Sequence, residues 1–173
     1  QRPPETLRVN HRRLARSAYI NLLCRKGIPV SISPLSSSAL TLHRPRPIHQ
    51  IPGFSEGVVS IQDASAQLVP WFLGPVTGQR VLDACAAPGG KACHLLESEP
   101  NMGALWTVDL PERIPLIEQN FKRLGVEAVL LAGDASQPDV WWDGEQFDAI
   151  LVDAPCSGAG IIRRHPDIRL HRR

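Results

Sequence analysis

The chain is 173 residues long, 43% hydrophobic and carries a formal net charge of +2, which suits one domain with a small satellite and excludes global disorder. No apolar run approaches the roughly 18 residues of a membrane span, and the opening QRPPETLRVN has neither the apolar segment of a signal peptide nor an initial Met, so a cytoplasmic protein cut from a longer chain is expected. Charge is unevenly spread: residues 1–50 hold nine Lys/Arg and one acid, residues 51–162 five against fifteen, and residues 163–173 five against one, a basic front and tail that fit a polyanion such as RNA.

From the N-terminus, TLRVN (6–10) predicts a short strand. Residues 13–26 place Leu14, Ala18, Leu22 and Leu23 at helical spacing, and Gly27 stops that helix. SISPLSSSAL (31–40) is loop-like, ALTLHR (39–44) reads as a strand, and the Pro- and Gly-rich RPRPIHQIPGFSEG (44–57) is a connector. Residues 1–55 are therefore expected to form a small α/β module, and residues 56–173 a second unit.

The second unit has a different rhythm. VVSIQD (58–63) is strand-like, and ASAQLVPWFLG (64–74) is a helix that Pro70 must kink or shorten, with Asp63 as its N-cap. RVLDACA (80–86) is a buried strand, and APGGKACHLLES (87–98) is a Gly-rich turn opening a helix. GALWTVDL (103–110) is a strand, ERIPLIEQNFKRLG (112–125) a helix closed by Gly125, and EAVLLAGDA (127–135) and FDAILVDAP (147–155) are two more strands. Strands alternating with helices predict a parallel α/β sheet with right-handed crossovers. Ligands bind such sheets at the carboxyl ends of the strands.

Asp83, Asp109, Asp134 and Asp153 all fall at those ends, around DACAAPGGK (83–91). That loop is not a P-loop: Cys85 stands at its first Gly position and Ala92 at its Ser/Thr position. Nor is it the GxGxxG dinucleotide fingerprint. What remains is strand, acid, tight Pro-Gly-Gly turn and helix. Gly89 and Gly90 carry no Cβ, so backbone can approach a ligand closely. The helix N-terminus favours a carboxylate. Asp109 is placed to accept from ribose hydroxyls, and Asp134 from an adenine amino group. A ligand with a carboxylate, a ribose and an adenine satisfies all three, and S-adenosyl-L-methionine is such a ligand. Of the four cysteines, Cys85 and Cys93 are too far apart for a metal knuckle, and no metal site is expected. The set has no disulfide-like framework either, so reduced thiols are expected.

VDAPCSG (152–158) sets Asp153, Pro155 and Cys156 directly after an apolar strand. A carboxylate and a thiol there suit covalent chemistry on a base; a lone thiol equally fits an inert core residue. Taken together, DACAAPGGK, the acid in TVDL, GDA and LVDAPCSGAGIIRRHPDI resemble the RNA cytosine-5 methyltransferases of the Nop/Sun family. LRVN and IPGFSEGVVSIQDASAQ resemble the segments just before the methyltransferase domain of that family. The resemblance implies a Rossmann-like S-adenosylmethionine-dependent methyltransferase fold, of which the first four strands are recognisable, after the small α/β module. It implies a cofactor held by Cys85, Ala86, Ala87, Pro88, Gly89, Gly90 and Lys91 with Asp109, Asp134 and Asp153. It implies a target cytosine in 16S ribosomal RNA, and a monomer without a membrane partner is expected.

Cytosine carbon-5 is a poor nucleophile toward a methyl sulfonium. A thiolate adding to carbon-6 turns the ring into an enamine and activates carbon-5, splitting one hard step into two easier ones. Asp153 is placed to meet the polar edge of the base, which must reach the pocket unstacked. The obvious assignment makes Cys156 the nucleophile. The resemblance gives that role to a second cysteine, in a Thr-Cys-Ser motif on a later strand, and leaves Cys156 the release of the methylated product. Cys24, Cys85 and Cys93 lie in no such motif and the chain stops at Arg173, so an inactive, marginally folded chain with an exposed apolar sheet edge is expected.

The chain departs from the family pattern in three places. KACH replaces a polar pair after Lys91, Pro111 stands where an acid is common, and Pro115 costs about 3 kcal/mol unless it falls in the first turn of its helix. Three other activities share parts of this pattern. An exocyclic-amine methyltransferase needs an aromatic after Asp153-Ala154-Pro155, and Cys156 is there instead. A DNA cytosine-5 methyltransferase uses the Pro-Cys thiol as nucleophile. A non-catalytic RNA-binding remnant would keep the basic flanks and lose the cofactor. Trp141 and Trp142 are read as packing residues, Arg163 and Arg164 as phosphate contacts, and His165 as part of a loop hydrogen-bond network.

Overall fold

Two four-stranded sheets follow one another along the chain in the computed structural model, which describes residues 5–156. The expectations for Arg163, Arg164, His165 and the basic tail fall outside the described residues.

The first sheet is antiparallel throughout. It is built from β1 (Glu5–Val9), β2 (Val30–Ile32), β3 (Ala39–Leu42) and β4 (Val59–Ile61), in the order β2-β3-β1-β4. Helix α1 (Arg16–Arg25) crosses from β1 to β2, and the β2–β3 hairpin then fills the place between them. Leu7, Val9, Leu40, Leu42 and Val59 form the buried face with Tyr19 and Leu23 of α1. The expected stripe on α1 is therefore rotated, with Tyr19 buried and Ala18 exposed. Tyr19 tolerates full burial because its hydroxyl donates to the Pro52 carbonyl at 2.8 Å.

Two sequence readings of this unit change. β2 was expected as loop; it is a three-residue edge strand with Ser31 and Ile32 exposed, too short to show an apolar alternation. β4 lies past the expected boundary at 55/56 and yet belongs to the first sheet, because Val59 and Ser60 pair with Val9 and Arg8.

The second sheet is parallel. After a short 3-10 turn (Ala66–Leu68) and α2 (Val69–Leu73) come β5 (Arg80–Ala84), α3 (Gly90–Ser98), β6 (Ala104–Asp109), α4 (Ile114–Leu124), β7 (Val129–Ala132), α5 (Pro138–Trp141) and β8 (Ala149–Val152). The strand order is β7-β6-β5-β8. The chain runs outward from β5 to β7 and then returns to lay β8 on the other side of β5. That reversal opens a crevice at the carboxyl ends of the central strands. Alternate residues of β5 face opposite layers: Val81 packs with Leu95, Leu105, Ile117 and Phe121, while Leu82 and Ala84 pack with Val108, Trp106 and Trp141.

Pro115 falls in the first turn of α4, where its missing N–H would have had no helical partner, so the expected cost does not arise. Pro70 shortens its helix to five residues. β8 leaves Ile150 and Val152 55% and 63% exposed. No helix among the described residues is long and apolar enough to cross a membrane.

Part of the basic front is turned toward the second unit. Arg12 donates to the Leu96 carbonyl and Arg13 to that of Leu124, while Arg8 is buried. From the other unit, Arg123 donates to the carbonyls of Phe54 and Val59. Arginines that the charge count read as facing a polyanion thus join the two units.

Candidate active site

The Gly-rich loop is held in shape by its own backbone and by β6. Gly89, at φ +90°, caps α3, and a Cβ there would come 3.3 Å from Cγ2 of Ile117 on α4. Position 89 therefore requires glycine both for its left-handed backbone and for helix packing. Gly90 differs, since a Cβ there would meet nothing within 4 Å. Its open side is where a ligand can approach the backbone. Cys85 holds φ +61°, a conformation uncommon for a side-chain-bearing residue and characteristic of constrained sites.

Asp109 supports the loop from behind. Its Oδ2 accepts from the Ala87 amide at 2.7 Å, and its Oδ1 accepts from the Leu110 amide at 2.8 Å and pairs with Arg113 at 3.3 Å. Arg113 in turn donates to the Ala87 carbonyl. With its side chain 2% exposed, Asp109 fixes loop geometry and lies outside the walls of the cleft.

The cleft has a volume of about 380 Å³. Cys85 to Pro88, Gly90 and Lys91 form one wall, and Ile61 at the end of β4, Gln62, Asp63 and Ala66 form the other. Asp83 and Asp153 complete it. Lys91 and Asp153 form an ion pair across the ends of the central strands. Asp83 is 1% exposed, and neither of its carboxylate oxygens has a hydrogen bond of normal geometry among the described residues. Burial pushes its pKa up to about 7; Lys91 and the nearby Ala92 amide pull against that, and Asp153 and Asp109 add to it.

Asp134 stands at the next strand end but is exposed, its Oδ1 accepting from the amide and hydroxyl of Ser136. Those bonds hold its carboxyl below the usual range. Cys156, three residues beyond Asp153, is exposed. Cys93 is buried, which pushes its thiol up to about 12, and Cys85 is raised by burial and then by Asp109. Neither is poised as a thiolate.

Of the expected ligand residues, the structure brings Cys85, Ala86, Ala87, Pro88, Gly90, Lys91 and Asp153 to one cleft. Gly89 and Asp109 shape the loop, and Asp134 and Cys156 lie outside the cleft walls. Asp83, named in the sequence only as one of four strand-end acids and given no ligand role, is a buried wall residue, and the contribution of Ile61, Gln62 and Asp63 was missed. The QD pair ending VVSIQD was the available signal, but nothing local ties it to a loop more than 20 residues on. A slightly larger cavity, about 420 Å³, lies between the first unit and α3, lined in part by His11, Ser37, Trp71 and His94, and holds none of the expected site residues. Among the described residues no group of three His, Cys, Asp or Glu could hold a metal ion.

A parallel sheet with its crevice under a Gly-rich loop, and an acid at the end of the adjacent strand, defines an α/β methyltransferase-like protein. Residues 70–173 match the family model for the 16S rRNA methyltransferase RsmB/F, and residues 1–49 that for the ferredoxin-like domain of RsmF/B-like methyltransferases; the chain belongs to this family. The family assignment agrees with the resemblance carried by the motifs.

Ribosomal RNA small subunit methyltransferase B of Pseudomonas syringae pv. tomato is 48% identical over 171 residues, covering 98% of this chain and 38% of the relative. Its counterpart in Vibrio cholerae is also 48% identical, with 98% and 39% covered. The chain thus spans about two fifths of the length of these curated relatives. Among solved structures, PH0851 superposes with a TM-score of 0.90 at 30% identity, over 100% of this chain and 40% of that one. A methyltransferase homolog protein from Pyrococcus horikoshii superposes with a TM-score of 0.80 at 32% identity, over 98% and 56%.

Proposed function

We propose that this chain is the cofactor-binding part of an S-adenosylmethionine-dependent methyltransferase that modifies carbon-5 of a cytosine in 16S ribosomal RNA. The observation that carries the reading is the convergence of the Cys85–Lys91 loop and Asp153 on one cleft, in a chain 48% identical to rRNA small subunit methyltransferases B. The cleft fits the cofactor. Gly90 is open to backbone approach, and the first amides of α3 have no helical acceptor and favour a carboxylate. When bound, the cofactor supplies a methyl group on a positively charged sulfur.

The residues then divide the work. Cys85 to Lys91 hold the cofactor, Asp109 keeps their geometry, and Asp134 at the neighbouring strand end serves the adenine side. Asp153, held by Lys91, meets the polar edge of the cytosine. The thiolate that adds to carbon-6 is the one the resemblance assigns to a Thr-Cys-Ser motif; its addition would make carbon-5 nucleophilic toward that methyl group, and loss of the carbon-5 proton to a base would then expel the thiolate. Cys156 serves that last stage, product release. Of the other thiols, Cys93 and Cys85 are held protonated and Cys24 sits on α1 in the first unit, so residues 1–173 by themselves are not expected to turn over.

Calorimetric titration with S-adenosylmethionine tests the reading. Binding is expected, and Lys91→Ala should weaken it about tenfold or more through loss of a charge-assisted bond. Failure of the intact chain to bind the cofactor while binding RNA would establish the remnant reading instead. Turnover of unmodified 16S RNA by residues 1–173 would refute the assignment of Cys156, and preference for DNA over ribosomal RNA would refute the substrate.

A further inference from the structure

We infer that Arg8, in the antiparallel unit, is a positioning residue for the Gly-rich loop, so that the first unit is part of the support of the cofactor site. The inference rests on the reading of the cleft given above.

Arg8 lies on β1 and is 1% exposed. Its Nε and Nη2 donate to Glu97 Oε2 and Oε1 at 3.1 and 3.0 Å. Its Nη1 donates to the carbonyl of Gly90 at 2.8 Å and to Gln62 Oε1 at 2.7 Å. Gln62, which itself lines the cleft, donates from Nε2 to the same Gly90 carbonyl at 3.3 Å. Gly90 and Glu97 are the first and eighth residues of α3, two turns apart and on one face. One guanidinium therefore grips α3 near both of its ends. The planar fork of arginine can do this, whereas a lysine ammonium cannot reach both acceptors in bidentate geometry.

Stability alone does not call for this arrangement. A buried ion pair is commonly matched or exceeded by apolar residues of similar volume. What an apolar pair cannot do is fix a carbonyl. The one fixed here belongs to Gly90, between the left-handed Gly89 and Lys91, whose ammonium pairs with Asp153 across the cleft. Arg8 is not itself a wall of the cleft. It acts through the Gly90 carbonyl by setting where α3 begins.

The test uses the full chain with two variants, Arg8→Met combined with Glu97→Leu, and Arg8→Lys. The double change removes both buried charges together and is expected to leave the fold intact by circular dichroism and urea denaturation. Amide hydrogen exchange at residues 89–93 should accelerate about tenfold in either variant, with little change in the strands of the antiparallel sheet, and the dissociation constant for S-adenosylmethionine should rise about tenfold.

A folded variant with unchanged exchange at residues 89–93, or with exchange accelerated evenly over the whole chain, overturns the inference. So does unfolding of both variants, which would make Arg8 a folding residue. If the intact chain binds no S-adenosylmethionine, the proposed function fails, and the exchange comparison still decides the role of Arg8.

Discussion

Asp83→Asn isolates the least accommodated group in the site. The wild-type carboxyl is 1% exposed and its pKa is pushed from 3.8 up to about 7, chiefly by burial. A folded-state pKa above the unfolded value means that the native state holds the proton more tightly. Its contribution to stability is full below about pH 4 and is lost as pH rises through 7. Three pKa units correspond to about 4 kcal/mol. The charged neighbours are Lys91, Asp153 and Asp109, and the shift already includes their opposing effects.

Asparagine has nearly the same shape and does not titrate. The variant should therefore lack this pH dependence, and its stability relative to wild type should rise by about 4 kcal/mol between pH 4 and pH 8. Urea denaturation of both proteins at half-unit pH steps measures the difference, which cancels the titration of every group not coupled to Asp83. Parallel profiles would refute the reasoning. They would show that Asp83 ionises freely in the folded protein, through a donor or water that relieves its burial.

Gly89→Ala forces a side chain into a φ of +90° against Ile117 and should cost about 1–2 kcal/mol for the backbone alone, with a further contact penalty, read by thermal or urea unfolding. Tyr19→Phe leaves the Pro52 carbonyl without its donor and should cost about 1 kcal/mol in the same assay. Ile150→Lys places a charge on the exposed edge strand β8; stability should change by no more than about 0.5 kcal/mol, while concentration-dependent light scattering falls.

The parallel unit was legible because its strands are buried runs bounded by turn signals. RVLDACA, GALWTVDL and FDAILVDAP each lie within two or three residues of β5, β6 and β8. The antiparallel unit was harder to read. β2 has three residues and two of them are exposed, so no periodicity marks it. β4 was assigned to the second unit because its position in the chain says nothing about its partner, and its pairing with β1 spans about 50 residues. The contacts of Arg8, Arg12 and Arg13 with the second unit were equally invisible, since a charge count cannot tell an arginine that is free to meet a polyanion from one that donates to a carbonyl in another unit.

Sequence alone determined the chemistry on offer: a Pro-Gly-Gly turn after a buried strand, acids at four strand ends, and an Asp-Ala-Pro-Cys segment. These are short-range patterns, written in consecutive residues because backbone conformation and strand burial are local demands. Tertiary structure decided which of those groups meet. Asp109 was sent behind the loop as its support, Asp83 was buried with no hydrogen bond of normal geometry among the described residues, and Gln62 was brought from the antiparallel unit to the cleft wall. Such meetings depend on the strand order β7-β6-β5-β8 and on how β4 enters the first sheet. They are set by packing between segments far apart in the chain, which no local pattern encodes.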